Sequence, residues 1–330
     1  MKAFIHHGLP GFEGAAYRDM PEPTAGPGQV RIRLKTAGLN RRDLRILHAG
    51  KEGDPPIILG SDGAGVIDQI GPDVHGIHQG DEVIINPTLH WFKNTPAPPP
   101  NYEILGSPTH GTFAEFIVIS ADQVEPKPSY LSWEEAGVLP LSALTAYRAL
   151  FTRGRVQSGQ TVFIPGAGGG VATYLVQFAK AVGARVCVAS RSEEKRQHIR
   201  KLGADVIIET GQDWLEALEG DKVDLVIDSV GAATFDKCLT ILKPGGTLVT
   251  FGATAGDEIQ LNLRSFFYGQ FNLLGSTMGS QEEFREMLQF ITKHQIRPVI
   301  DQYFPLSEAR QALHRLQETH NFGNIGLHIS

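Results

Sequence analysis

This 330-residue sequence has only two cysteines, Cys187 and Cys238, and fewer cations than anions, with 30 Lys and Arg against 36 Asp and Glu. It also has no apolar run approaching the ~20 residues that a membrane-spanning helix needs. Each scarcity excludes something. Two cysteines cannot build a disulfide framework or a four-cysteine zinc site, and they fit a reducing compartment. Cys187 lies in the apolar run Ala184–Ala189 and reads as a small buried hydrophobe. A net charge of −6 argues against nucleic acid and acidic membranes as partners, since both want a basic face. The start, Met1 to Gly8, lacks the apolar core and small-residue cleavage site of a signal peptide, so the expected location is cytoplasmic. What remains is an ordinary globular composition, 41% hydrophobic and 20% charged, with length enough for two domains.

Glycine, by contrast, is concentrated where it informs most. Thr161–Ile164 reads as a short buried strand and runs into Pro165-Gly166-Ala167-Gly168-Gly169-Gly170-Val171-Ala172. Tyr174 to Lys180 then reads as an amphipathic helix with Gly183 at its end. A strand turning through glycines into a helix N-terminus holds a pyrophosphate: the backbone can approach closely, and free amides and the helix dipole favour negative charge. Two registers fit, Gly166-x-Gly168 and Ala167-x-Gly169-x-x-Ala172. A lone G-x-G-x-x-G is weak evidence. Here a second strand, Ala184–Ala189, follows where a ribose-reading residue belongs. The cofactor-binding candidates at the turn are Gly166, Ala167, Gly168, Gly169, Gly170 and Val171.

The residue ending that second strand separates NAD from NADP. An acid there binds the ribose 2′-hydroxyl and repels a 2′-phosphate. This chain has Ser190-Arg191-Ser192-Glu193-Glu194-Lys195. A hydroxyl at Ser190, a bidentate guanidinium at Arg191 and a point charge at Lys195 suit a 2′-phosphate, so NADP(H) is the expected cofactor. The bland alternative is a solvated basic start to a helix, which the dipole disfavours.

Two compositional regimes divide the chain. Up to about residue 128, short β-rich runs such as Gln29–Leu34, Gly65–Ile70 and Phe113–Val118 predict a mostly antiparallel, barrel-like domain. Trp91 to Asn101 is a stiff loop with four prolines. From residue 129, strands at Val206–Ile208, Leu225–Asp228, Thr247–Phe251 and Asn272–Gly275 alternate with helical patterns such as Ser192–Leu202 and Phe235–Leu242. That alternation predicts an α/β, doubly wound parallel sheet over residues 129–276. The tail, 277–330, with helices at Glu282–Lys293 and Leu306–Thr319 and a last strand near Ile325–Ile329, is expected to return to the first domain (1–128). Ligands of such a sheet meet the carboxyl ends of strands, which adds Ser229, Val230, Phe251, Gly252 and Ala253 as cofactor contacts.

Several ordered motifs resemble the medium-chain dehydrogenase/reductase superfamily, and within it the zinc-free members near the quinone oxidoreductases. They are Leu59-Gly60-Ser61-Asp62-Gly63-Ala64-Gly65-Val66, Gly80-Asp81-Glu82-Val83, His110-Gly111-Thr112-Phe113-Ala114-Glu115-Phe116, Leu139-Pro140 with Thr145-Ala146-Tyr147, the glycine turn, and Leu242-Lys243-Pro244-Gly245-Gly246. The resemblance implies a GroES-like substrate domain beside a Rossmann domain, with the active site in the cleft between them. Zinc-dependent members present a Gly-x-Cys, a Gly-His-Glu and a third thiolate. This chain has Gly38-Leu39-Asn40, Gly60-Ser61-Asp62 and, near the third position, Leu141. An amide, a hydroxyl and an alkyl group do not make a zinc tetrahedron, so no metal is expected. A rescue by His48, His90, His110 and Asp62 is the alternative.

Without zinc, reduction of a quinone or of a carbonyl conjugated to C=C is easier than alcohol oxidation, because charge spreads into a phenolate or enolate that hydrogen bonds can hold. The resemblance implies that Asn40 and Thr145 lie beside the nicotinamide, as catalytic candidates. Alternatively, Asn40 forms an Asx-turn and Thr145 caps the following helix. Arg42 and Arg45 stand where zinc enzymes have a proton relay, and neither is a general acid at neutral pH. Bulk water, His48, Tyr102 and His90 remain as proton sources. Asn324, after Phe322-Gly323, matches a position where relatives often carry Lys and is a further cofactor candidate. The strand near Phe271–Ser276 resembles the edge through which related subunits join, which implies a homodimer. The expected activity is NADPH-dependent, zinc-free reduction of quinones or α,β-unsaturated carbonyls. An alcohol dehydrogenase with a non-standard metal site and a non-catalytic NADPH-binding sensor are the alternatives.

Overall fold

A computed structural model describes residues 1–329. The chain divides into two compact units, Met1–Ser142 with Gly279–Ser330, and Ala143–Met278.

In the first unit the strand Gln29–Gly38 is the hub. Its side chains alternate, with Val30, Ile32 and Leu34 buried and Arg31, Arg33 and Lys35 on the other face. It pairs antiparallel with Asp62–Ile70, Phe116–Ser120 and Asn324–His328. Asp62–Ile70 pairs with Glu82–Ile85, which pairs with Val124–Pro126. Asn324–His328 also takes up Ile300–Pro305 in parallel, so the chain's last segment completes this sheet. Val30, Ile32, Leu34, Ile67, Ile85 and Phe113 share a core with Leu313 and Leu316 of the Ala309–Glu318 helix. Each such side chain contributes about 1.5–3 kcal/mol on burial.

The unit boundaries fall at 142/143 and 278/279 rather than at 128/129 and 276/277. The reason is close packing. The Trp133–Gly137 helix lies so near the hub strand that a methyl carbon built on Gly137 would come within 2.2 Å of Thr36 Oγ1. Thr36 Oγ1 also donates to the Trp133 carbonyl at 2.7 Å. At the other boundary, Thr88 Oγ1 donates to the Gly279 carbonyl at 2.7 Å.

The second unit holds six parallel strands: Thr161–Ile164, Arg185–Ser190, Val206–Glu209, Val223–Asp228, Leu242–Thr250 and Asn272–Gly275. Counted along the chain, their spatial order is 3-2-1-4-5-6. The central ones are apolar on both faces, as strands covered by helices must be: Val162, Phe163, Val186, Cys187, Val188 and Val226 are all buried. This is a Rossmann sheet. Its order reverses between the first and fourth strands, whose carboxyl ends therefore stand side by side. Asn272–Gly275 is an edge strand, and the preceding helix Leu263–Gly269 exposes Leu263, Phe267 and Tyr268.

Candidate functional site

In the second unit the Thr161–Ile164 strand turns into a helix that starts at Gly170, one turn earlier than the Tyr174 start read from the sequence. Gly169 caps this helix with an extended backbone, and the first amides have no partner within the helix. Gly168 has φ +113°, a conformation that favours glycine. A methyl carbon built there would lie 2.5 Å from Lys195 Cδ and 3.1 Å from its Nζ. The Lys195 stem thus lies across the glycine turn, while Gly169 has open space beside it. Lys195 sits in the first turn of Glu193–Lys201, where the dipole opposes a cation.

Ser190 is buried at the end of its strand, and its carbonyl accepts from Arg196 Nη1 at 2.8 Å. Arg196 also donates to Glu193, at 3.0 and 2.6 Å. Arg191, by contrast, is exposed. At the fourth strand the buried Asp228 carboxylate accepts from the amides of Val230 at 2.9 Å and Gly231 at 3.1 Å, while burial raises its pKa. This acid shapes the next turn, and backbone bonds tie that turn to its neighbour. Phe251 N donates to Asp228 O at 3.0 Å, Thr254 N to Ser229 O at 3.1 Å, and Ala255 N to Val230 O at 2.8 Å. A methyl carbon on Gly252 would touch Ser229 at 3.4 Å, one on Gly231 would crowd Ala253 at 3.0 Å, and one on Gly166 would crowd Val230 Cγ2 at 3.0 Å. The structure therefore gathers Gly166–Val171, Lys195, Ser229, Val230, Phe251, Gly252 and Ala253, with Ser190 and Arg191 ending the adjoining strand. Open amides, a glycine cradle and nearby cations fit a dinucleotide.

Two other candidates sit elsewhere. Thr145 is buried inside the Pro140–Tyr147 helix, which continues as the turn Arg148–Arg153. A helix N-cap needs non-helical backbone, so the capping alternative for Thr145 does not hold. Asn324 is buried in the first unit, and both its backbone N and its Nδ2 donate to the Val299 carbonyl, at 2.8 and 3.1 Å. Its amide anchors the return of the chain into that sheet, a local use that the Phe322-Gly323-Asn324 pattern did not reveal.

The first unit carries a buried polar cluster. Asn40 caps the helix Arg41–Ala49, and its backbone N donates to Asp43 at 2.7 Å. Its side-chain Nδ2 donates to Asp62 Oδ2 at 2.7 Å. Leu141 N donates to Asp62 Oδ1 at 2.8 Å, and Ser142 Oγ to Asn40 Oδ1 at 3.4 Å. Beside them, Arg42 Nη1 donates to Ser61 Oγ at 2.6 Å and to Leu105 O at 2.8 Å, and Ser61 Oγ donates to the same carbonyl at 2.7 Å. The glycines of the Leu59–Val66 and His110–Phe116 motifs make this possible. A methyl carbon on Gly111 would fall 1.9 Å from Gly60 O, and one on Gly106 2.4 Å from it. Backbone packed this tightly fixes Ser61 and Asp62 in place.

Both carboxyls are fully buried. Desolvation pushes Asp62 up to about 7 although Asn40 and Leu141 donate to it, and nearby Asp43 adds to the rise. Desolvation also raises Asp43 to about 6, against the pull of Arg42 and of the Asn40 and Gly60 amides. Burial lowers the Arg42 pKa, which Asp43 opposes. The Asn40–Asp43 half of this network is a capping pattern visible in Asn-x-x-Asp. The Asp62 half joins residues far apart in sequence and was missed.

These groups do not fit zinc, which takes thiolate, imidazole or carboxylate ligands. Each Asp62 oxygen accepts an N–H, Ser61 accepts from a guanidinium, and Leu141 contributes a backbone donor. The alternative histidines do not assemble: His110 Nδ1 is bonded to Ile58 N at 3.2 Å, and His48 and His90 are exposed. Among the described residues, no three His, Cys, Asp or Glu are grouped to hold a metal.

Comparison with known proteins adds the following. Residues 26–129 match the alcohol dehydrogenase GroES-like domain and residues 170–293 the zinc-binding dehydrogenase family. A zinc-type alcohol dehydrogenase-like protein of Schizosaccharomyces pombe is 33% identical over 100% of this chain and 99% of its own length. An acryloyl-coenzyme A reductase of Metallosphaera sedula is 28% identical, covering 98% of this chain and 99% of the relative. A crotonyl-CoA reductase of Streptomyces avermitilis is 30% identical, covering 94% and 80%. Among solved structures, an NAD-dependent alcohol dehydrogenase superposes with a TM-score of 0.94 at 36% identity, covering 100% of both chains.

Proposed function

This chain belongs to the medium-chain dehydrogenase/reductase superfamily of oxidoreductases, and from that premise we propose that it reduces α,β-unsaturated carbonyl compounds with NADPH and without zinc. The observation that carries the reading is Arg42, whose guanidinium is bonded to Ser61 where zinc-dependent relatives hold a metal ligand. A fixed cation and an amide donor suit an enolate oxygen, whose charge is spread, better than an alkoxide, which wants a Lewis acid. Relatives named for crotonyl-CoA and acryloyl-CoA reduction favour conjugated acyl groups over quinones.

The Gly166–Val171 turn would hold the pyrophosphate, and Lys195 with Arg191 would take the 2′-phosphate. When bound, NADPH would supply a hydride to the substrate's β-carbon, and a proton from bulk water would complete the reduction at the α-carbon. The second N–H of Asn40 Nδ2, the one not given to Asp62, would donate to the carbonyl oxygen as charge develops there, and Arg42 would offset part of the charge of the neighbouring carboxylates. Arg41 and Arg45, both exposed on the helix that Asn40 caps, suit a substrate with an anionic tail, such as an acyl thioester of coenzyme A.

Stopped-flow oxidation of NADPH against crotonyl-CoA, a neutral enone and a quinone tests this. Turnover of the conjugated acyl substrate that survives metal chelation supports the reading. Loss of activity with stoichiometric zinc, or total inertness, overturns it in favour of a metal-dependent dehydrogenase or a non-catalytic NADPH binder. We further propose a homodimer joined along the Asn272–Gly275 edge, where Leu263, Phe267 and Tyr268 stand exposed.

A further inference from the structure

We propose that Asp62 is the positioning residue of the site: by accepting one N–H of the Asn40 amide, its carboxylate turns that amide so that the second N–H is the one offered to the substrate. The inference rests on the catalytic reading of Asn40 given above. An ionised carboxylate only accepts hydrogen bonds, so the edge of Asn40 that meets Asp62 Oδ2 at 2.7 Å is its NH2. The carbonyl edge is then the one that Ser142 Oγ reaches at 3.4 Å. Asp62 cannot swing to meet a flipped amide, because Leu141 N holds its other oxygen at 2.8 Å and Thr112 Oγ1 holds its backbone carbonyl at 2.7 Å.

A protonated Asp62 has an O–H to donate and accepts either orientation of the amide. The same carboxyl thus orients Asn40 when charged and releases it when neutral. The groups facing Asp62 are Arg42 and Asp43 from the Arg41–Ala49 helix and Tyr303 from the Ile300–Pro305 strand. Asp43 and burial favour the proton on Asp62, whereas Arg42, Asn40 and Leu141 favour the charge, and the balance falls at about 7. The orientation is therefore complete above neutrality and fades below it.

The test uses the full-length chain and two readouts. In 1H–15N spectra, with the Asn40 side-chain pair assigned by its loss in Asn40→Ala, that pair should show a transition near pH 7 that vanishes in Asp62→Asn, where only the smaller shift from Asp43 near pH 6 remains. A pair that does not titrate, or that titrates equally in Asp62→Asn, overturns the proposal. In kinetics with crotonyl-CoA, Asp62→Asn should lower kcat roughly 10–100-fold, the scale of loss when a catalytic group is misplaced by about 1 Å. The KM for NADPH should not change, and the fall in kcat below neutral pH should disappear. In an Asn40→Ala background Asp62→Asn should cost less than about 2-fold more, because both changes remove one coupled interaction. A fully additive loss overturns the proposal. If Asp62→Asn does not fold, the wild-type titration decides alone. If the wild-type chain reduces no conjugated carbonyl, the proposed function fails while the spectra still judge the positioning.

Discussion

Lys195 lies across Gly168, so close that a single added methyl carbon would sit 2.5 Å from its Cδ. Gly168→Ala would therefore strain the backbone at φ +113°, at a cost of about 1–3 kcal/mol, and push the lysine off the turn. The expected outcome is a lower melting temperature and at least ~10-fold weaker NADPH binding, read by calorimetry and thermal melts; 1.4 kcal/mol corresponds to each tenfold. Lys195→Ala added to Gly168→Ala should recover stability lost to the clash but not that lost to φ. Unchanged NADPH affinity in Gly168→Ala would remove this turn from the cofactor site.

Arg191 stands exposed just past the end of the Arg185–Ser190 strand, whereas Arg196 donates to Glu193 and to the Ser190 carbonyl. The two arginines should behave oppositely. Arg191→Ala should weaken NADPH about 10–100-fold, the worth of a charge-assisted bond of about 1.5–3 kcal/mol, and change NADH less than about 2-fold. Arg196→Ala should act mainly on stability. Equal losses for NADPH and NADH in Arg191→Ala would refute recognition of the 2′-phosphate.

The Rossmann sheet was legible because each strand is a short apolar run buried on both faces, and the intervening helices carry their own caps, such as Ser192 accepting from Lys195 N at 3.3 Å. The glycines of Leu59–Val66 were legible as a motif but not as packing, since Gly60 meets Gly106 and Gly111 only after the sheet forms. The same limit hid the partnership of Asp62 with Asn40 and Leu141, three segments joined by tertiary pairing. Asn324 shows a further limit: its position resembles one that relatives use for a ligand, while the bond from its buried amide to the Val299 carbonyl forms only once the sheet is assembled.

Arg42 ties Ser61 and Leu105 together beside two buried acids. Arg42→Met would leave those acids without their cation, and removing one partner from a buried charge set costs about 3–5 kcal/mol. Denaturant melts should register that loss, with Arg42→Lys intermediate because an ammonium lacks the planar fork. Elemental analysis of the wild-type chain should find zinc far below one equivalent, and chelators should leave activity intact.

The open edge at Asn272–Gly275 and the exposed Leu263, Phe267 and Tyr268 predict self-association. Light scattering behind size exclusion should give twice the 35.9 kDa chain mass. Leu263→Asp with Tyr268→Asp should give the monomer mass while the fold, followed by circular dichroism, persists. A wild-type chain that elutes as a monomer at micromolar concentration removes the dimer.

Asp43 and Asp62 should give the protein an unusual dependence of stability on pH. Burial raises the first to about 6 and the second to about 7, from an ordinary 3.8. Between the unfolded and folded pKa values the native state binds more protons than the unfolded chain, so unfolding free energy falls as pH rises. For Asp62 the window runs from about pH 4 to 7, and above it the loss is complete. These two groups therefore favour pH 5 over pH 8, the reverse of the carboxylate whose folded pKa is depressed. Even ~1 kcal/mol recovered at pH 5 would raise the melting temperature of a unit this size by about 2–4 °C. Asp62→Asn should flatten the Asp62 share of that slope and leave the Asp43 share, which ends near pH 6. A wild-type melting temperature that climbs steadily from pH 5 to 8, unchanged in Asp62→Asn, would mean that Asp62 is ionised throughout that range.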